Sequence, residues 1–190
     1  MDYLMGKIQA EFGYTDYQTK LIRYTLISIF YDLTKTLIFL VYYAWTGRLL
    51  EFFFALIPMV LLRQKTGGLH MRTYWGCFFF SFLYLEASTT ILPALIPLHE
   101  LAVYPILIIC AVITYKIGIV SLKKKPMPNE AHAKKLKIQS FQVICLVGVL
   151  YFIFQGLDYV NASFWVVILH TIQLTITKII KEVKTHEEFS

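Results

Sequence analysis

Residues 138–157, IQSFQVICLVGVLYFIFQGL, run for 20 consecutive positions without a charged side chain. About 20 apolar residues in a helix cover the ~30 Å hydrocarbon core of a bilayer. The stretch is not isolated: similar apolar runs occupy 21–46, 49–62, 76–97, 101–120 and 160–181. Hydrophobic residues make up 57% of the chain, charged residues 16%, and the mean hydropathy is +0.60. A soluble domain carries about a quarter charged residues, so this composition excludes disordered and fibrous chains and leaves more apolar surface than one soluble core could hide. The pattern predicts an all-α, polytopic helical membrane protein with about six transmembrane segments and both termini cytoplasmic. The run 49–62 is short and contains Pro58, so it also reads as a re-entrant half-span. Four full spans plus two half-spans is the alternative.

Cytoplasmic loops are enriched in Lys and Arg, which tests the order of crossings. With the N-terminus inside and six crossings, the inner side receives fifteen of the 18 basic residues, among them Arg63, Lys65, Arg72, the lysines of 121–137, Lys178 and Lys181. Arg48 alone falls outside, and Lys35 and Lys116 fall within spans. The net charge of +6 is therefore largely topological. Residues 121–137, SLKKKPMPNEAHAKKLK, lack the interleaved aromatics of a nucleic-acid reader. They read as a basic cytoplasmic loop facing lipid or an acidic peptide, with Lys123, Lys124 and Lys125 near its start as candidate substrate-binding residues. The segment 1–20 has no apolar core of signal-peptide length, and Tyr3, Leu4, Ile8 and Phe12 recur at helical spacing, as in an interfacial helix. No internal repeat or separate soluble domain is visible, so 1–190 reads as a single integral membrane domain.

One segment departs from the anchor pattern: Arg63-Gln64-Lys65-Thr66-Gly67-Gly68-Leu69-His70-Met71-Arg72-Thr73-Tyr74-Trp75-Gly76-Cys77. A thiolate is a good nucleophile, and an imidazole can take its proton and return it to a leaving amine. On an unbroken helix His70 and Cys77 would share a face yet sit about 10.5 Å apart along the axis, too far for proton transfer. The pair therefore requires a break, which Gly67, Gly68 and Gly76 permit. Cys77 then opens the third apolar stretch, where the helix N-terminus and nearby Lys65 and Arg72 favour thiolate, and the first-turn amides face a developing oxyanion.

The run 63–77, with Gly67-Gly68-Leu69-His70 followed seven positions later by Cys77, resembles the signature of the accessory gene regulator B (AgrB) family, membrane endopeptidases of peptide quorum sensing in Gram-positive bacteria. The lysine stretch with Pro126 and Pro128, ending Lys134-Lys135-Leu136-Lys137, resembles the basic loop before the last two spans of those proteins. The likeness covers nearly the whole chain, although only 63–77 is sharply specific. It implies a multi-pass protein of the bacterial cell membrane with His70 and Cys77 catalytic at the cytoplasmic face. It further implies a propeptide substrate with an amphipathic leader, a pheromone segment and a charged tail. Cys77 would hold the pheromone segment as a thioester until an internal Cys or Ser closes a thiolactone or lactone. The partners implied are that propeptide and membrane lipid, with a homodimer left open and no nucleic acid; no cofactor is called for.

Other residues carry weaker signals. Gln64 is a candidate for orienting the imidazole, and Ser81 lies one turn from Cys77. Asp32 and Lys35 sit three positions apart inside the first span, where each is expensive unpaired, and read as a mutual pair or a contact to the catalytic segment. Glu86 lies on the opposite helical face from Cys77, about 13.5 Å along the axis. Cys110 and Cys145 read as buried filler, and the odd count of three cysteines argues against a disulfide framework. His99, His132 and His170 have no partner at metal-ligand spacing. Two competing functions remain. A transporter or exporter component would use the intramembrane charges, and a membrane S-acyltransferase would use Cys77 as an acyl carrier.

Overall fold

The structure, a computed structural model, describes residues 11, 13, 15–68, 73–97, 99–120, 130–154 and 157–187. Most of the segment 1–20 read as interfacial lies outside these, and its last residues begin a helix. The chain divides into two compact units, Met1–Trp45 and Thr46–Ser190.

The first unit contributes α1, Asp16–Trp45. Its start is a reciprocal cap: the Thr15 amide donates to Gln18 Oε1 at 2.9 Å, and the Gln18 amide donates to Thr15 Oγ1 at 3.3 Å. Two amides that have no partner in the first turn are thereby satisfied. Further along, Lys35 Nζ donates to Asp32 Oδ1 at 2.7 Å, so the two charges pair as expected, with Lys35 buried but Asp32 exposed.

The second unit holds α2 (Leu49–Thr66), α3 (Tyr74–Glu86), a π-helical segment (Ala87–Ile91), α4 (Leu92–Leu95), α5 (Glu100–Ile117), α6 (Glu130–Ile153) and α7 (Asp158–Glu187). The chain is an all-α membrane protein. Three of its described segments, Tyr74–Leu95, Glu130–Ile153 and Asp158–Val183, are long and apolar enough to cross a bilayer, and Leu101–Ile117 is a shorter apolar helix. Within its apolar window α7 is 56% buried, against 22% for the other two, which makes it the central post on which α2, α5, α6 and the π-helical segment pack. The outer helices turn Phe79, Leu83, Ile108, Phe152 and other large apolar side chains outward, as lipid contact requires. Cys145 belongs to this outer surface. The expectation of a protein-buried Cys145 is therefore corrected, because lipid and protein interior are equally apolar and the sequence does not separate them. Cys110 is buried as expected.

Pro58 does not break α2, which runs unbroken for 18 residues, about 27 Å at 1.5 Å per residue. A proline lacks the amide that would bond the carbonyl four positions earlier, here that of Phe54. Ser163 on α7 fills the gap: its Oγ donates to the Phe54 oxygen at 2.6 Å. In a membrane no water can satisfy such a group, so the helix pair supplies the bond itself. Ser163→Ala is expected to destabilise the fold by about 1–3 kcal/mol, and Pro58→Ala, which restores the missing amide, should recover most of that loss. Thermal unfolding of the single and double variants in detergent measures the coupling.

Contacts fix the direction of each helix in this unit. Ser163 meets Phe54 and His170 meets Thr66, so α2 and α7 advance together. The rings of Tyr104, Tyr151 and Phe164 are in contact, and Thr114 meets Thr171, so α5 runs with α7. In α6 the order reverses: Gly148 lies beside Leu107, whereas Lys137 lies beside Gly118. The third apolar stretch opposes α2, because Thr90 near its end accepts from Arg48, the residue before α2, at 2.7 Å. Successive apolar segments thus alternate in direction. Arg63, Lys65, Lys116, Lys134, Lys135 and Lys137 gather at one end, and Arg48 stands at the other.

Within the third stretch, Ser88 Oγ and Thr89 Oγ1 both donate to the Leu85 carbonyl, at 3.0 and 2.8 Å. That competition with the backbone ladder accompanies the widening to π-helix. Helix α6 begins at Glu130, so residues 130–137 of the basic stretch are its first turns.

Candidate functional site

Helix α2 ends where the diglycine begins. Gly67 is its C-cap, with φ +81°, and its amide bonds the Arg63 carbonyl at 3.0 Å. Beside it, Gly118 caps α5 at φ +70°, and the Val120 amide donates to the Thr66 carbonyl at 2.8 Å. The two helix ends are clipped together by this short parallel bridge. A side chain at Gly67 would strike the Val120 carbonyl oxygen, and Gly68, at φ +143°, would bring a Cβ to 3.2 Å from Gln173 Nε2. The backbone angle favours glycine at both positions, and at Gly67 the Val120 backbone also leaves no room for a side chain.

Thr73 is the N-cap of α3. Its Oγ1 accepts from the Gly76 amide at 3.1 Å, and its carbonyl accepts from the Cys77 amide at 3.1 Å. Cys77 therefore sits in the first turn of α3, half-exposed, as the sequence predicts. The helical rod is interrupted between Thr66 and Tyr74. Gly76 lies inside α3, so the break belongs to the diglycine rather than to Gly76. Two amides of this turn, those of Gly76 and Cys77, are committed to Thr73, which narrows the donors left for an oxyanion. In the first turns of α3, Tyr74, Trp75, Phe78 and Phe79 form a cluster of ring contacts, with Trp75 64% exposed. Such aromatics favour the boundary between lipid and water.

Opposite the diglycine, α7 presents a polar turn. His170 is 1% exposed, and its Nε2 lies 2.7 Å from Thr66 Oγ1. The Thr66 hydroxyl also lies 2.9 Å from the Leu62 carbonyl, to which it can donate. His170 Nδ1 is buried without a hydrogen-bond partner among the described residues. Thr66→Val should remove the hydrogen-bond partner of His170 Nε2 and lower stability by about 1–3 kcal/mol, read as a drop of a few degrees in the thermal midpoint.

His70, Arg72, Lys123, Lys124 and Lys125 lie outside the described residues, so the structure gives no His70–Cys77 distance. Gln64 is exposed on α2, two residues and about 200° from the inward-facing Thr66. Ser81 is buried one turn beyond Cys77, and Glu86 ends α3 with the helix unbroken back to Cys77. Lys134, Lys135, Gln139 and Gln142 lie together along one face of α6. Among the described residues no three His, Cys, Asp or Glu side chains gather as for a metal. Sequence reasoning missed His170 and Gln173 as neighbours of the diglycine. Their signal was the crowding of His170, Thr171, Gln173, Thr175 and Thr177 into one half of an apolar span, where polar side chains are costly.

A family model for accessory gene regulator B matches residues 1–174. The chain belongs to the AgrB family. An AgrB-like protein of Clostridium beijerinckii is 30% identical over 122 residues, 63% of this chain. The chain covers 60% of that relative's length. No solved structure matches significantly. For this AgrB family member the match runs through the diglycine, Cys77, the lysine-bearing turns of α6 and most of α7.

Proposed function

We propose that the protein is a membrane-embedded cysteine endopeptidase that removes the C-terminal tail of an autoinducer propeptide and cyclises what remains. The observation that carries this reading is the interruption between α2 and α3. It sets Cys77 in a capped first turn and ends α2 at two glycines just before His70. His70 takes the thiol proton, and the Cys77 sulfur attacks the carbonyl at the end of the pheromone segment. The C–N bond breaks, His70 protonates the departing amine, and the peptide is held as a thioester. An internal Cys or Ser of the substrate then attacks that carbonyl, the bond to Cys77 breaks, its sulfur regains a proton, and a thiolactone or lactone leaves. Exchange of one thioester for another is nearly neutral in energy, so ring closure depends on excluding water and losing the tail.

In this reading the chain is multi-pass and the site faces the cytoplasm. The alternating helix directions and the collection of lysines and arginines at the diglycine end support that orientation. Mass spectrometry of acid-quenched protein, co-expressed with a small neighbouring reading frame that encodes leader, internal Cys or Ser and acidic tail, tests the mechanism. A peptide adduct on Cys77 is expected. A fatty-acyl adduct would instead establish the S-acyltransferase.

The basic turns of α6 and the stretch before it attract the acidic tail. Converting Lys123, Lys124, Lys125, Lys134 and Lys135 to Gln should reduce processing several-fold at low ionic strength and flatten its salt dependence. Lys137 is spared because its stem lies against Gly118 at the α5 cap. Undiminished processing would retire the tail-binding role.

A further inference from the structure

The thiol of Cys77 can react only where α3 aims it, and α3 is apolar nearly all round. Trp75, Phe79 and Leu83 face outward, while Ser81, Tyr84 and Leu85 are buried. In a bilayer such a helix has no apolar stripe to fix its roll about its own axis, since lipid and protein interior accept the same side chains. A directional bond can fix it. Tyr84 is 7% exposed, and its hydroxyl donates to the Val166 carbonyl of α7, the central post, at 2.8 Å. Seven residues turn a helix by about 700°, so Cys77 and Tyr84 lie within about 20° of one face, with Ser81 between them. Cys77 stands about 10.5 Å along the axis from this hook, towards the capped ends of α2 and α5. On the peptidase reading above, we propose that Tyr84 is a positioning residue for Cys77: its hydrogen bond to α7 sets the roll of α3 and thereby the direction of the nucleophilic sulfur.

Two features favour this over simple packing. A phenylalanine would fill the same space without a hydroxyl to satisfy in an apolar interior. The Val166 carbonyl lies within α7, where the helical ladder already supplies a donor, so the phenol is not there to satisfy that carbonyl. Thr90, bonded to Arg48, holds the far end of the same stretch, and the Tyr84 bond adds a second hold nearer the thiol. A side chain reaches about 5 Å from its helix axis, so a roll of about 20° carries the sulfur about 1.7 Å.

Tyr84→Phe removes the hydroxyl and keeps the ring, whereas Leu85→Ala removes packing from the same buried face and leaves the bond. Protein purified in detergent is labelled with N-ethylmaleimide, and mass spectrometry of the cysteine peptides gives the rate at Cys77 relative to Cys145. Values of kcat and KM are measured with the co-expressed propeptide. For Tyr84→Phe, relative labelling of Cys77 is expected to rise at least about threefold and kcat to fall about thirtyfold, with KM within about twofold. Leu85→Ala should lower the thermal midpoint more than Tyr84→Phe does, yet keep labelling and kcat within about twofold below its unfolding transition. Unchanged or slower labelling of Cys77 in Tyr84→Phe, or a loss of kcat in Leu85→Ala as large as in Tyr84→Phe, would overturn the proposal. Cys77→Ala serves as the separate control. If it still processes propeptide, the peptidase reading fails, while the labelling ratio still decides whether Tyr84 directs the thiol.

Discussion

Cys77→Ala is expected to abolish release of cyclic peptide, by about 10⁴-fold or more, while leaving the protein inserted and folded. Removing the nucleophile of a covalent mechanism removes the pathway, so the residual rate should approach that without enzyme. His70→Ala should cost about 10²–10⁴-fold, the usual range for a lost general acid–base. The transporter reading predicts the reverse, tolerating Cys77→Ala and failing when the intramembrane charges are removed. The structure gives two of those charges other employment: Lys35 is paired with Asp32, and Lys116 sits in the last turn of α5, where a cation suits the helix dipole. Wild-type levels of cyclic peptide from the Cys77→Ala protein, measured by mass spectrometry of the medium, would overturn the peptidase reading.

The second large effect is expected at Gly67. An added methyl would meet the Val120 carbonyl oxygen, which is backbone and cannot swing aside, and the residue sits at φ +81°. Relief requires parting the ends of α2 and α5 or rotating Gly67, and either displaces the chain that leads to His70. A misplacement of about 1 Å in a catalytic group can cost 10²-fold, so Gly67→Ala should fall to about 1% of wild-type turnover. Its thermal midpoint should also drop, because strain of this kind costs about 1–3 kcal/mol. Turnover within about twofold of wild type would show that the junction of α2 and α5 does not govern the site.

Much of this was legible from residues alone. Charge-free runs such as 138–157 marked the helices, the lysine asymmetry anticipated their alternation, and the diglycine with Cys77 seven residues after His70 marked the interruption. The legible features are local, or set by the contrast between lipid and water. The contacts of Ser163 with Phe54, His170 with Thr66 and Tyr84 with Val166 were not legible, because each depends on how one helix is rotated toward another. In a soluble helix an apolar stripe reveals that rotation; in a bilayer both faces are apolar and the stripe disappears. Cys145 was misassigned for the same reason. The way α2 stays unbroken at Pro58 was not legible either, because the donor that stands in for the missing amide comes from more than a hundred residues later in the chain.

That distance along the chain bears on biosynthesis. Helix α7 holds Thr66 through His170, yet the ribosome makes it only after α2, α3, α5 and α6 have emerged. A stalled or truncated nascent product would carry the diglycine and Cys77 without the helix against which α2 packs. On the proposed peptidase reading, such fragments should be inert toward peptides in the same cell, with activity arriving only when α7 enters the bilayer.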